Sequence, residues 1–338
     1  MTLVKIVFLM LFAASATLFF SCKQDSPVEG GNGTGSDYFG WSIADSSLSY
    51  QPASIYVGDE SAVFIAGENN YRIIDGIKSE IVDADFRGRH VTGYDKNFVV
   101  FTGERDNSYG KLKILNSGTV TDYTSPEFIY SFKNTFVMEP GKFLFQTFAM
   151  SFAYYNNGAI TEYFMPDTSQ IHFFSKVGNT PLILSRKYID SLNVFKLEDN
   201  QVIRIGAYVI NGGSLFNLDS GPILLSTLYQ TNSLNNTVKY FTGSLWSNIF
   251  SVTFPSLVQF TSLTGTSNSF IVGALSPSSQ DLYPVQVWNG TSLSNEKGFP
   301  FKSPHIEVTL SNYNHGIIYA YTYTGSNSYL VKGKRTRF

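Results

Sequence analysis

This 338-residue sequence predicts an all-β protein made of seven copies of one four-stranded unit. Three observations carry that expectation. Aromatic residues are abundant (29 Phe and 21 Tyr), and Ser, Thr, Asn and Gly fill the spaces between apolar runs, a composition that favours strands. A short apolar triplet recurs at Val63–Ile65, Val99–Phe101, Phe143–Phe145, Leu182–Leu184, Ile223–Leu225, Phe270–Val272 and Ile317–Tyr319. Each triplet is followed by a second strand-like segment and a turn residue. Those turn residues are Gly76, Gly118, Gly158, Asn200, Gly243, Gly290 and Gly333, spaced 40 to 47 residues apart.

Each unit reads in the same order. A hairpin turn precedes the triplet, as in GDES, DKN, EPG, VGNT, DSG, GTSN and NHG. The turn after the second segment is rich in Asp-Gly and Asn-Gly, whose positive φ angles suit tight hairpins. The unit is therefore strand A, turn, strand B, loop, strand C, turn, strand D. Strand B is apolar throughout because both of its faces are to be covered, while C and D become more polar outward. Four short strands per repeat resemble the blade of a β-propeller, and seven blades fill residues 38–338. A sandwich or solenoid is the alternative, and it requires the regular turn spacing to be coincidence. The WD dipeptide and the paired glycines of kelch repeats are missing, so no propeller family is named. Two segments compete to complete the last blade. KRTRF, after Gly333, is a short candidate outer strand, and Gly40 to Tyr50 lie in the register of a D strand.

The N-terminus has a different character. Lys5 supplies a positive charge, Ile6 to Phe20 form an apolar and small-residue run, Ser21 follows, and then comes Cys22, the chain's single cysteine. This resembles the type II signal peptide of bacterial lipoproteins. Phe19 stands where that pattern usually has Leu, with Leu18 one place earlier, as in the relaxed lipoboxes of spirochaetes or Bacteroidetes. The resemblance implies removal of residues 1–21 and lipidation of Cys22 with diacylglycerol and palmitate. It also implies a cell-envelope location. Lys23, in place of an aspartate, implies the outer membrane, with the leaflet left open. An ordinary cleaved signal with an incidental cysteine is the alternative. Residues 22–37 are rich in Gly and Ser and read as a flexible tether. No disulfide is available to the domain that follows.

Charged residues make up only 15% of the chain and the net charge is −2, which indicates neither a nucleic-acid surface nor an acidic tail. There is no P-loop, dinucleotide fingerprint or HExxH motif, and the four histidines lack paired spacing, so no cofactor and no metal are expected. The tight A–B and C–D turns share one face of the ring, and the longer B–C and D–A connections share the other. Loops on a rigid scaffold carry function, so the longer connections hold the candidate site. Arg87, Arg105, Arg186 and Asp190 are the best ligand-binding candidates, with Arg89 and Lys187 beside them. FRGRH, residues 86–90, reads as a connection. Glu104 with Asp106 is a possible acid–base pair, though a solvated loop explains them too. His172, His305 and His315 fall near A strands and are candidates to line the channel. Trp41, Tyr283 and Trp288 are possible sugar platforms or packing residues. Asn289-Gly290-Thr291 matches a glycosylation sequon but reads as a hairpin turn.

The expected function is a non-enzymatic envelope lipoprotein that binds a protein, peptide or glycan. The alternatives are a membrane-anchored hydrolase or lyase acting on glycans or peptides, and a structural part of a surface assembly. Three or more charged residues converging at the channel mouth would favour the enzyme. An exposed aromatic patch on the loop face would favour the binding module.

Overall fold

The computed structural model describes residues 38–48, 51–81, 86–105, 109–124, 134–188, 190–210, 213–218, 221–230, 233–254, 258–266, 268–275, 283–301, 308–323 and 327–336. Cys22 and the segments expected to be its signal and tether, residues 1–37, lie outside the described residues. The chain from Asp37 onward forms one compact unit. It is a seven-bladed β-propeller of seven four-stranded antiparallel sheets. Six blades take their strands in chain order, A innermost and D outermost, as the repeat predicts.

Alternation of side chains along strand B builds the core. In blade 3, Phe143 and Phe145 of strand B (Lys142–Phe148) pack toward blade 2, against Phe98, Val100 and Leu112. Leu144 between them packs toward blade 4, against Phe174, Ile183 and Phe195. One apolar cluster of this kind fills each of the seven blade junctions. A period of two, buried on both sides, is why each triplet is apolar without interruption. Polar side chains then stitch neighbouring blades together. Asn236 Nδ2 donates to Val258 O at 2.9 Å, and its Oδ1 accepts the Phe260 N–H at 3.2 Å. Asn70 donates to Phe86 O and Asn217 to Phe174 O.

The C–D turns follow their sequence. Asp75-Gly76, Ser117-Gly118, Asn157-Gly158 and Asp199-Asn200 each have two successive positive φ angles, the geometry of tight I′ hairpins. Gly243 and Gly290 also have positive φ. Gly333 is a correction. It is no turn but lies inside strand C of blade 7 (Ser328–Arg335), between Trp41 on one side and Ile318 on the other. A Cβ there would come within 2.8 Å of the Trp41 ring and 2.9 Å of Ile318. Blade 7 has no C–D turn because its outer strand is Phe39–Asp45, from the other end of the described chain. Phe39 pairs with Arg335, so that strand enters at the turn face. Tyr38 N–H donates to buried Glu296 at 3.1 Å, and Thr336 N–H to Tyr38 O at 3.0 Å.

FRGRH is a second correction. Phe86–Gly93 is strand A of blade 2, alternately buried and exposed over its first four residues. Two arginines and a glycine disguise it, yet only the arginines face outward.

Candidate functional site

The seven A strands surround a central channel with a cavity of about 590 Å3. Its wall mixes rings such as Tyr56, Phe173, Phe216 and Tyr313 with polar side chains such as Asn134, Ser175 and Asn312. The histidine in this wall is His90, where the register of strand A shifts between Gly88 and His90. Burial pushes its pKa down to about 4, and its Nδ1 is enclosed without a hydrogen-bond partner. The imidazole is therefore neutral at physiological pH. His172 is exposed, on strand A of blade 4, with its pKa lowered by partial burial and by the charge of Arg186. His315 sits in an A–B turn with positive φ, and His305 is outside the described residues. Neither His172 nor His315 joins the wall of the cavity.

On the loop face, blades 1 and 2 enclose a cleft of about 250 Å3 that contains Glu68, Arg87 and Arg89. Arg87 meets Glu68 at 3.4 Å, and Arg89 meets Glu104 at 2.5 Å. Glu104 is buried and its carboxyl group is occupied by the guanidinium beside it. Its proposed partner Asp106 is outside the described residues. Arg105 ends strand B of blade 2 with its backbone opposite Phe86, and its side chain is outside the description.

Arg186 and Asp190 belong to blade 4. The Arg186 guanidinium donates to Gly213 O at 2.6 Å, bridging to the start of blade 5, and burial lowers its pKa. Asp190 is exposed, and its backbone carbonyl accepts the Ile210 N–H at 2.8 Å. Thus Arg87 and Arg89 share one cleft, whereas Arg186 and Asp190 stand two blades away. Among the described residues no group of three or more His, Cys, Asp or Glu side chains is placed to hold a metal ion. Packing absorbs two of the tryptophans. Trp288 stacks on Phe250 at 4.8 Å, and Trp41 meets Phe299 edge-on at 5.0 Å.

The loop face carries a feature that sequence reasoning missed. Phe148, Met150 and Phe164 of blade 3, Tyr188 and Val209 of blade 4, and Leu228 of blade 5 are all exposed. Each lies at or near the loop-face end of a strand or in a B–C connection. Phe164 is 70% exposed, Tyr188 68% and Val209 86%, values that no core role explains. Three consecutive blades thus present an apolar rim, with Arg186, Lys187 and Asp190 alongside. Nothing local flags them: YFMP and AYVI read like the apolar residues of any strand.

No protein-family model matches the chain, and no curated protein is similar to it at a significant level. Solved structures are similar in fold. The β-propeller domain of Cps50 (Swd1) from Myceliophteria thermophila superposes with TM-score 0.59 at 10% identity, over 86% of this chain and 99% of that one. YCF48 bound to a D1 peptide gives 0.62 at 9% identity, over 89% and 99%. A chain of the mitotic checkpoint complex gives 0.57 at 11%, over 94% and 98%. At such identities the likeness establishes architecture alone: this chain is similar in fold to those propellers.

Proposed function

We propose that the chain is a non-enzymatic envelope lipoprotein whose propeller binds a protein or peptide through its loop face. The observation that carries this reading is the apolar rim on blades 3 to 5. Exposed aromatic and aliphatic side chains fixed on strand ends are the anchors that protein interfaces bury, with charged groups left at the edge. The peptide seen on YCF48 and the assembly that contains the checkpoint propeller are consistent with this use of the fold. In this reading Cys22 is diacylated and holds the protein on the outer membrane, residues 22–37 form the tether, and residues 38–338 are the binding domain. Arg87, Arg105, Arg186 and Asp190 are the polar contacts.

Two measurements test the parts separately. Cys22→Ala is expected to move the protein from the membrane fraction to the soluble fraction, and unchanged retention would count against the anchor. A photo-crosslinker at position 188 is expected to capture a discrete partner, and the capture is lost when Phe164→Ser is added. The same crosslinker at Ile77, on the turn face, captures nothing. Equal capture from both faces rejects the loop-face assignment.

A further inference from the structure

We propose that the outer edge of blade 5 is a self-association site, where a second copy of this chain adds the same strand antiparallel across a two-fold axis. The outer strand of blade 5, Trp246–Phe254, is the last in its sheet, so among the described residues its far edge is unpaired. Such an edge is a template for another strand unless charge or shortness guards it. The other outer strands are guarded. Thr119–Thr124, Ala159–Phe164, Gln201–Val209 and Phe39–Asp45 each carry a single charged residue, respectively Asp122, Glu162, Arg204 and Asp45. A two-fold pairing of any of them brings that charge toward its like. Ile77–Glu80 and Leu293–Asn295 have only four and three residues. Trp246–Phe254 has nine residues and no charge. An uncharged edge is matched in charge by another uncharged edge, and a second copy supplies one.

The order of residues along the strand points to the same partner. Its register with strand C (Ser233–Phe241) shifts between Val238 and Lys239, which puts a bulge at Ile249 and leaves Phe250–Phe254 as the uninterrupted part. That part reads Phe-Ser-Val-Thr-Phe, the same in residue type from either end. Turned about Val252, it sets Phe250 opposite Phe254, Ser251 opposite Thr253, and Val252 opposite itself. Aromatic pairs and hydroxyl pairs are favourable cross-strand combinations. Ser251 and Thr253 are exposed, and Ser251 Oγ already pairs with Thr237 Oγ1 at 3.0 Å, so the row of hydroxyls continues into the second copy. On the other side, Phe250, Val252 and Phe254 stay half-buried beside blade 6, whose outer strand has only three residues. An isologous contact requires this kind of self-complementarity, and two-fold dimers are the commonest closed oligomers.

The test places a single thiol on the axis. In the full chain carrying Cys22→Ala, Val252→Cys is expected to form a disulfide with its own copy under mild oxidation. Opposed Cα atoms of antiparallel strands are about 4.5–5.5 Å apart, within reach of that bond. Asn248→Cys, exposed on the same strand but off the axis, stays unlinked. Ser251→Cys and Thr253→Cys chains link to each other when mixed. Adding Ser251→Glu with Thr253→Glu sets like charges opposite each other and is expected to lower the yield at position 252 at least ~10-fold. Ser251→Lys with Thr253→Glu sets opposite charges there and retains it. Thermal melts confirm that each variant is folded. The proposal is overturned if position 252 does not link, if position 248 links as readily, or if the two charge pairs act alike. The loop-face reading is tested separately, since capture by the crosslinker at position 188 is expected to survive Ser251→Glu with Thr253→Glu.

Discussion

Blade 3 draws all four strands from residues 135–164, whereas blade 7 takes three from residues 308–335 and its fourth from residues 39–45. In blade 3 the outer strand is delivered by the Asn157-Gly158 turn, whose positive φ angles direct the chain back on itself. In blade 7 no turn exists, and side chains replace it. Trp41 lies over Gly333, Tyr38 hydrogen-bonds Glu296, and Asp45 meets Lys78 of blade 1 at 2.7 Å. The next junction is also sealed by side chains: Asn312 accepts the Val57 N–H at 2.6 Å and donates to Val57 O at 3.0 Å, as a strand partner would. Local geometry is enough for a contiguous blade, but the closing blade depends on contacts made across almost the whole chain.

Four substitutions sharpen or break that contrast. Phe143→Ala in blade 3 removes a wholly buried ring and is expected to cost ~3–5 kcal/mol in urea unfolding. A loss below ~1 kcal/mol would mean that the contiguous blades do not carry the core. Gly333→Val in blade 7 is expected to cost ~1–3 kcal/mol through overpacking against Trp41 and Ile318. Limited proteolysis near Asp45 should accelerate in the same variant, and unchanged cleavage would show that the terminal strand is held elsewhere. Gly158→Ala, at φ 98°, should cost ~1–2 kcal/mol without releasing any strand. The smallest effect is at Asp45. Burial there favours the neutral acid, but hydrogen bonds from Lys78 and Ser47 outweigh it and lower the pKa below 3.8. A lowered carboxylate pKa adds stability that is present above the unfolded value and lost as pH falls through the folded one. Asp45→Asn should therefore cost less than ~1 kcal/mol at pH 7, and nothing in acid below both values. An equal cost at both extremes would assign the effect to packing.

Much of this architecture was legible because propeller strands obey short-range rules. The triplet at Phe143–Phe145 can be read directly, since a strand covered on both faces has no polar position to interrupt it. Asn157-Gly158 reads as a turn for reasons confined to two residues. Gly333 misled because YLVKG resembles the earlier strand-and-turn segments, and nothing local reveals that its partner strand lies at the other end of the fold. FRGRH misled because a blade's A strand needs only alternate residues buried, so arginines at 87 and 89 are compatible with it. The sites are less legible still. That His90 rather than His172 lines the channel depends on a register shift in one strand and on seven strands meeting around an axis. Phe164 and Val209 look like core residues in the sequence, and only their position at strand ends exposes them.

The pairing of Phe39 with Arg335 has a consequence in time. During synthesis the first strand emerges nearly three hundred residues before its partner. At ~5–20 residues per second, the ribosome needs roughly 15–60 s to cover that distance. Over that interval the strand has a free hydrogen-bonding edge, which is a template for pairing with other chains. Its sequence, FGWSIAD, meets the hazard with Gly40, Ser42 and Asp45 set among its apolar residues.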